Sequence, residues 1–152
     1  LDALLVDLPP GTGDIQLTLS QQAPLAGAVI VTTPQDIALL DAQKGIEMFT
    51  KVNIPVLGIV ENMAMHHCSA CGHSEAIFGS GGGAMLADTY ATELLGQLPL
   101  DAAIRKAGDA GKPIVSAAPQ SPSALAYEAI ARAVIGALAN CDLVPSPDIV
   151  FD

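Results

Sequence analysis

The chain has no tryptophan, two tyrosines and three phenylalanines, so aromatics make up 3% of its 152 residues. Because 51% of the residues are hydrophobic, a core has to be assembled from Ala, Leu, Ile and Val, the composition of helices packed on a buried parallel sheet. Basic residues are also scarce: six Lys and Arg stand against sixteen Asp and Glu, giving a formal net charge of −10. Such a surface repels nucleic acid and anionic lipid, and neither is an expected partner. No apolar run approaches the roughly 18–20 residues of a membrane span, and no charged leader followed by an apolar stretch marks secretion. A cytoplasmic location is therefore expected. Three cysteines, with Cys141 apart from the other two, are too few for a disulfide framework.

The length suits one domain able to bury roughly 68–70% of its unfolded surface. Leu1 opens directly into Ala3-Leu4-Leu5-Val6 without cap or leader, which reads as a piece cut from a longer protein. Four apolar runs, residues 3–6, 28–32, 55–60 and 93–98, are predicted to be buried parallel strands. After Pro34, Asp36 can cap a helix whose Leu39, Ala42, Ile46 and Phe49 recur at helical spacing. Further helices are expected from Asp14, Gly82 and Asp101. Ser121-Pro122 opens a last one, with Leu125, Ala129, Ala133 and Leu138 along it as far as Asn140. Strands alternating with helices specify an α/β fold, a mostly parallel sheet flanked by helices with right-handed crossovers. Residues 1–139 are expected to form that domain, and residues 140–152, with two prolines and three aspartates, a mobile or peripheral tail.

In open α/β sheets ligands bind beyond the carboxyl ends of the strands, and the polar and glycine-rich segments fall there. Leu4-Leu5-Val6-Asp7 has the form of a Walker B strand, whose carboxylate orients magnesium; Pro9-Pro10-Gly11-Thr12-Gly13 adds a stiff turn with two bare amides that could approach a γ-phosphate. The plain alternative is a strand-to-helix turn with Asp14 as cap. Asn62 offers a carboxamide that matches one edge of adenine, or a simple turn residue. Gly79-Ser80-Gly81-Gly82-Gly83 resembles a phosphate cradle but lacks the Lys-Ser or Lys-Thr that should follow, and is taken as an entry to a helix.

The sharpest signal is Cys68-Ser69-Ala70-Cys71, set just after the run 55–60. One CxxC supplies two thiolates, half of a four-thiolate site. It could serve thiol redox chemistry, although no helix clearly begins at it. It could bind zinc with two of His66, His67 and His73. Or it could hold a cluster between two identical chains about a twofold axis.

Taken together, Asp7-Leu-Pro-Pro-Gly-Thr-Gly-Asp14, Thr32-Thr-Pro-Gln-Asp-Ile-Ala-Leu39, Lys44-Gly45-Ile46, Ile54-Pro-Val-Leu-Gly-Ile-Val-Glu-Asn-Met63, the CxxCG at Cys68 to Gly72 and Ile77-Phe78-Gly79 resemble the Mrp/ApbC family of iron-sulfur carrier ATPases. These are deviant-Walker P-loop proteins related to MinD, and the likeness runs from about residue 1 to about residue 138. The resemblance implies an ATP-hydrolysing homodimer that carries a [4Fe-4S] cluster bridged by the CxxC of each subunit and passes it to apo iron-sulfur proteins. It implies Cys68 and Cys71 as cluster ligands and Asp7 as the magnesium-orienting carboxylate. Gly11 and Gly13 would belong to the γ-phosphate switch, Asn62 would read adenine, and Pro99 and Asp101 would lie in the segment lining the base pocket. The family's Gly-Lys-Gly-Gly-Val-Gly-Lys type P-loop precedes the Walker B strand, and no such sequence occurs here. A partial P-loop fold lacking that strand is expected, with ATP and magnesium chemistry reserved for a longer parent. The rivals are a structural or regulatory zinc module and a MinD- or ParA-like positioning ATPase.

Overall fold

The computed structural model describes residues 3–9, 13–68 and 70–141. In chain order its elements are α1 (Asp14–Gln22), β1 (Ala28–Thr32), α2 (Asp36–Lys51), β2 (Val56–Glu61), β3 (His66–His67), β4 (Ser74–Glu75), α3 (Gly82–Thr89), β5 (Leu94–Gln97), α4 (Ala102–Asp109), α5 (Ile114–Ala117) and α6 (Pro122–Ala139). The apolar β-branched runs form a parallel sheet in the order β1-β2-β5, and β3 and β4 make a separate antiparallel hairpin.

Alternation along the strands sends side chains to two faces. On one, Ile30 and Ile59 meet Leu39, Ile46 and Phe49 of α2 and Leu86 of α3. On the other, Val60, Leu95 and Leu98 meet Tyr127, Ile130, Ala133 and Val134 of α6. Ile59 at the centre of the sheet is 0% exposed, and burying a side chain of that size stabilises by about 1.5–3 kcal/mol.

The inward stripe expected of α2 is present: Leu39, Ala42, Ile46 and Phe49 are buried, joined by Met48. Its N-cap is Gln35, and Asp36 occupies the first turn instead, where its charge complements the helix dipole. Ser121 caps α6 through its hydroxyl, which accepts from the Ala124 N–H at 3.2 Å, with Pro122 at the first position. The stripe expected of α6 is present only in part: Ala133 packs on the sheet. Leu125 is 48% exposed and Ala129 is exposed, while Ala126, Tyr127, Ile130 and Val134 face the sheet. A Cβ on Gly96 of β5 would stand 2.5 Å from Ile130 Cγ1, so the bare glycine receives Ile130 and fixes the rotation of the helix.

A second correction concerns residues 3–6, expected to form a buried strand. Residues 3–9 lie outside both sheets, and Leu4, Leu5 and Val6 are 76%, 87% and 50% exposed. A strand is defined by a neighbour for its amides and carbonyls; among the described residues β1 is the edge of the sheet, paired on one side with β2. The segment touches the body through Leu8, which packs against the α2 side of the core, and through Gln16, whose amide donates to the Pro9 carbonyl at 2.7 Å. Most of the expected tail, from residue 142 onward, lies outside the described residues.

Candidate functional site

Thr32, Glu61 and Gln97 form one rank across the carboxyl edge of the sheet. From that rank the chain makes a 62–81 excursion and returns as α3. Its outgoing limb is laced to the segment after β5. The Asn62 N–H donates to the Thr32 carbonyl (2.7 Å), Ala64 N–H to Leu98 carbonyl (3.0 Å) and Leu100 N–H to Met65 carbonyl (2.9 Å). His66 forms a parallel bridge to Leu100, and its Nδ1 lies 3.1 Å from the Leu100 carbonyl oxygen.

The hairpin of β3 and β4 carries the cysteine pair at its tip. His66 is paired with Glu75 and His67 with Ser74. The Cys68 N–H donates to the His73 carbonyl at 2.9 Å and the Gly72 N–H to the Cys68 carbonyl at 2.8 Å. Gly72 takes φ +74° there, a conformation that costs a residue with a Cβ. Cys68 is half-buried and Cys71 exposed. The Cys68 thiol is held below the ordinary thiol range, chiefly by the Cys71 backbone N–H, then by that of Ala70 and by the Cys71 thiol; hydrogen bonds to sulfur favour its thiolate. Sequence reasoning did not anticipate this hairpin, whose two-residue strands are too short to leave a pattern.

Among the described residues no three His, Cys, Asp or Glu side chains converge to hold a metal. Two of the three histidines near the pair have Nδ1 turned to other partners: His66 Nδ1 faces the Leu100 carbonyl, and His67 Nδ1 faces the Ser74 hydroxyl at 2.7 Å. Within one chain the pair stands as two thiols, half the donor set of a four-thiolate centre.

The candidate base-binding residues gather on the same edge. Asn62 is half-buried, and its carboxamide oxygen accepts from the Met63 N–H at 2.9 Å, closing the turn. That oxygen keeps a second lone pair, and the NH2 group supplies donors. Pro99 and Asp101 follow β5 beside the hairpin. The Asp101 carboxylate caps α4 by accepting from the Ala103 N–H (2.8 Å), and accepts from the Ser123 hydroxyl (2.6 Å). It is held below its ordinary value first by the Ser123 hydroxyl, then by the Ala103 amide, with the two nearby histidines contributing. Both carboxylate oxygens are thus engaged in anchoring the segment to α4 and α6.

The residues expected around phosphate are not gathered in the same way. Asp7 is exposed on the segment outside the sheet. Gly13 is the N-cap of α1, with φ −80°, and Asp14 is the first helical residue rather than the cap; Gly11 lies outside the described residues. The glycine run before α3 serves close packing. Gly81 is its left-handed N-cap, and a Cβ on Gly82 would stand 2.6 Å from Leu39 Cδ1. At Gly83 the backbone N–H donates to the Glu61 side chain at 2.6 Å, so an internal carboxyl group occupies this helix N-terminus. Glu61 was not singled out from the sequence; the available signal was a carboxylate closing an otherwise apolar strand.

The sequence model of the ParA-type NUBPL iron-transfer P-loop NTPases matches residues 1–135. The chain belongs to this family. It is 64% identical to an iron-sulfur cluster carrier protein of Pseudomonas fragi, over 86% of this chain and 46% of that protein. It is 58% identical to the Escherichia coli K12 iron-sulfur cluster carrier protein, over 91% and 37%, and 55% identical to the mouse iron-sulfur cluster transfer protein NUBPL, over 89% and 42%. This NUBPL-type chain therefore spans less than half the length of each of these relatives. Among solved structures it resembles a nucleotide-binding protein from Archaeoglobus fulgidus in complex with ADP, with a TM-score of 0.66 and 46% identity, covering 74% of this chain and 46% of that one. It also resembles the Pyrococcus furiosus cell division ATPase MinD, with a TM-score of 0.58 and 27% identity, over 73% and 43%. The fold is that of the P-loop NTPases, a mostly parallel sheet flanked by helices. No helix among the described residues is long and apolar enough to cross a membrane.

Proposed function

We propose that this chain is the cluster-holding part of an iron-sulfur carrier ATPase: Cys68 and Cys71 from each of two copies bind one [4Fe-4S] cluster, which is then passed to apo iron-sulfur proteins. The observation that carries this reading is a thiol pair displayed at the tip of an anchored hairpin, with Cys71 exposed and no third donor converging among the described residues. A second pair, supplied by a twofold-related chain, completes the four thiolates that such a cluster takes. The names of the related carrier proteins support the same cargo.

Transfer by this reading is ligand exchange. A thiolate of the recipient replaces the exposed Cys71 sulfur at iron, and the Cys68 sulfur, steadied by backbone amides, leaves later. Thiolate replaces thiolate throughout, so the cluster changes neither charge nor oxidation state. ATP and magnesium belong to the longer protein. In that setting Asp7 orients the ion, Gly11 and Gly13 approach the γ-phosphate, and Asn62 with the Pro99–Asp101 segment receives the base; that a nucleotide is bound at all is supported by the archaeal relative in complex with ADP. The 152-residue chain contains no Gly-Lys-Gly-Gly-Val-Gly-Lys type loop, and tight triphosphate binding depends on such a loop; the chain by itself is not expected to hydrolyse ATP. By the same reading the carrier works in the cytoplasm.

Anaerobic reconstitution with ferrous iron and sulfide tests the reading. Cys68→Ser and Cys71→Ser should each lose most of the bound iron and the ability to restore an apo-protein, and Cys141→Ser should keep both. Iron that depends on Cys141, or that persists without Cys68, contradicts the ligand set.

A further inference from the structure

Glu61 is the one buried charged side chain among the described residues, at 0% exposure, and none of the roles proposed above uses it. A buried carboxylate is costly unless hydrogen bonds or opposite charge satisfy it. Here Oε2 accepts from the Gly83 N–H at 2.6 Å, at the positive end of α3, and Oε1 accepts from the Gln97 side-chain amide at 2.6 Å. The sheet does not need these bonds, because the backbone sets the Thr32, Glu61 and Gln97 rank.

The Gly83 bond closes the base of the cysteine excursion, and the Gln97 bond ties Glu61 to β5. The outgoing limb, from Asn62 to His66, is laced by backbone bonds to Thr32 and to the segment 98–100. The returning limb re-enters at Gly81–Gly83, and there the Glu61 carboxylate reaches across to it. The approach is close enough that a Cβ on Gly83 would stand 3.0 Å from Glu61 Cβ, 3.1 Å from Leu94 Cδ1 and 3.2 Å from Glu61 Oε2.

We infer that Glu61 is a positioning residue: its side chain clamps the two limbs of the 62–81 excursion at the sheet edge and so fixes the direction in which Cys68 and Cys71 are presented. The inference rests on the reading of that pair as the cluster ligands. A cluster shared between two chains needs both thiol pairs at a set angle across the twofold axis, so slack at the base of the loop reduces occupancy at the tip.

Two variants open the clamp from opposite sides, Glu61→Ala by removing the carboxylate and Gly83→Ala by displacing it. Glu61→Gln retains it, since the amide oxygen can accept from Gly83 and the amide nitrogen can donate to a turned Gln97. Hydrogen exchange resolved along the 152-residue chain is read beside iron content after anaerobic reconstitution with ferrous iron and sulfide. Loss of one satisfied buried bond should speed exchange across residues 76–83 by about tenfold in both opening variants, with the amides of Ile59 and Val60 unchanged, iron content lowered and Glu61→Gln close to the parent. Unchanged exchange in 76–83 overturns the clamp, and equal acceleration in strand and loop makes Glu61 an ordinary core residue. If the parent chain takes up no iron while exchange follows the expected pattern, the cluster reading fails and the clamp stands.

Discussion

Residues 3–6 and 57–60 are nearly matched in composition, Ala-Leu-Leu-Val against Leu-Gly-Ile-Val, yet they have opposite fates. The second lies in the centre of a sheet, paired on both sides, with Ile59 and Val60 at 0% and 4% exposure; in the first, Leu4 and Leu5 are 76% and 87% exposed. Apolar composition confers a preference for burial, and a backbone partner decides whether the preference is met. The two halves of the candidate site inherit this difference. The strand that ends in Glu61 delivers a cysteine hairpin fastened to its neighbours, whereas the segment that ends in Asp7 delivers an exposed carboxylate outside the sheet.

The comparison can be broken most forcefully in the core. Ile59→Ala should destabilise the chain by about 2–5 kcal/mol, and Leu5→Ala should change stability by less than about 0.5 kcal/mol, as read from urea midpoints. Comparable losses would mean that residues 3–6 are packed in solution. A smaller effect is expected on the α6 face: Gly96→Ala forces a methyl onto Ile130 and should cost about 1–3 kcal/mol, and a neutral result would show that α6 can turn to another face.

Asp101 gives a pH-dependent version of the same contrast. Its folded-state pKa is lowered, so its contribution is present above the ordinary carboxylate value and is lost as pH falls through the folded one, from about pH 4 downward. The stability difference between the parent and Asp101→Asn should therefore shrink below about pH 4 in urea titrations. A difference constant from neutral to acid would show that the charge does not matter. The smallest effect belongs to Asp7: Asp7→Ala should leave iron content after reconstitution unchanged, because Asp7 is exposed outside the sheet while the outgoing limb of the thiol hairpin is fastened by backbone bonds to Thr32 and the segment after β5. Loss of iron would tie the two halves together.

Much of this was legible in advance. The strands 28–32, 55–60 and 93–98 came from apolar runs bounded by turn residues, and α2 came from a stripe with polar positions between, which leaves one face to choose. The helix α6 is apolar on nearly every side, so periodicity could not select its face. Ser123 on Asp101 and Ile130 over Gly96, contacts between residues far apart in sequence, selected it instead. Residues 3–6 read as a strand because their pattern carries no information about their neighbour. The cysteine pair stood out by its spacing, while the buried Glu61 looked like any strand-terminal carboxylate until its two partners converged on it.

The sharing of one cluster between two chains is tested most directly by native mass measurement of the anaerobically reconstituted chain. The expected result is a dimer carrying about four iron atoms per two chains, which dissociates to monomers when the cluster is removed and does not form with Cys68→Ser. A monomer that retains its iron, or a dimer that persists unchanged without it, would contradict the bridged site.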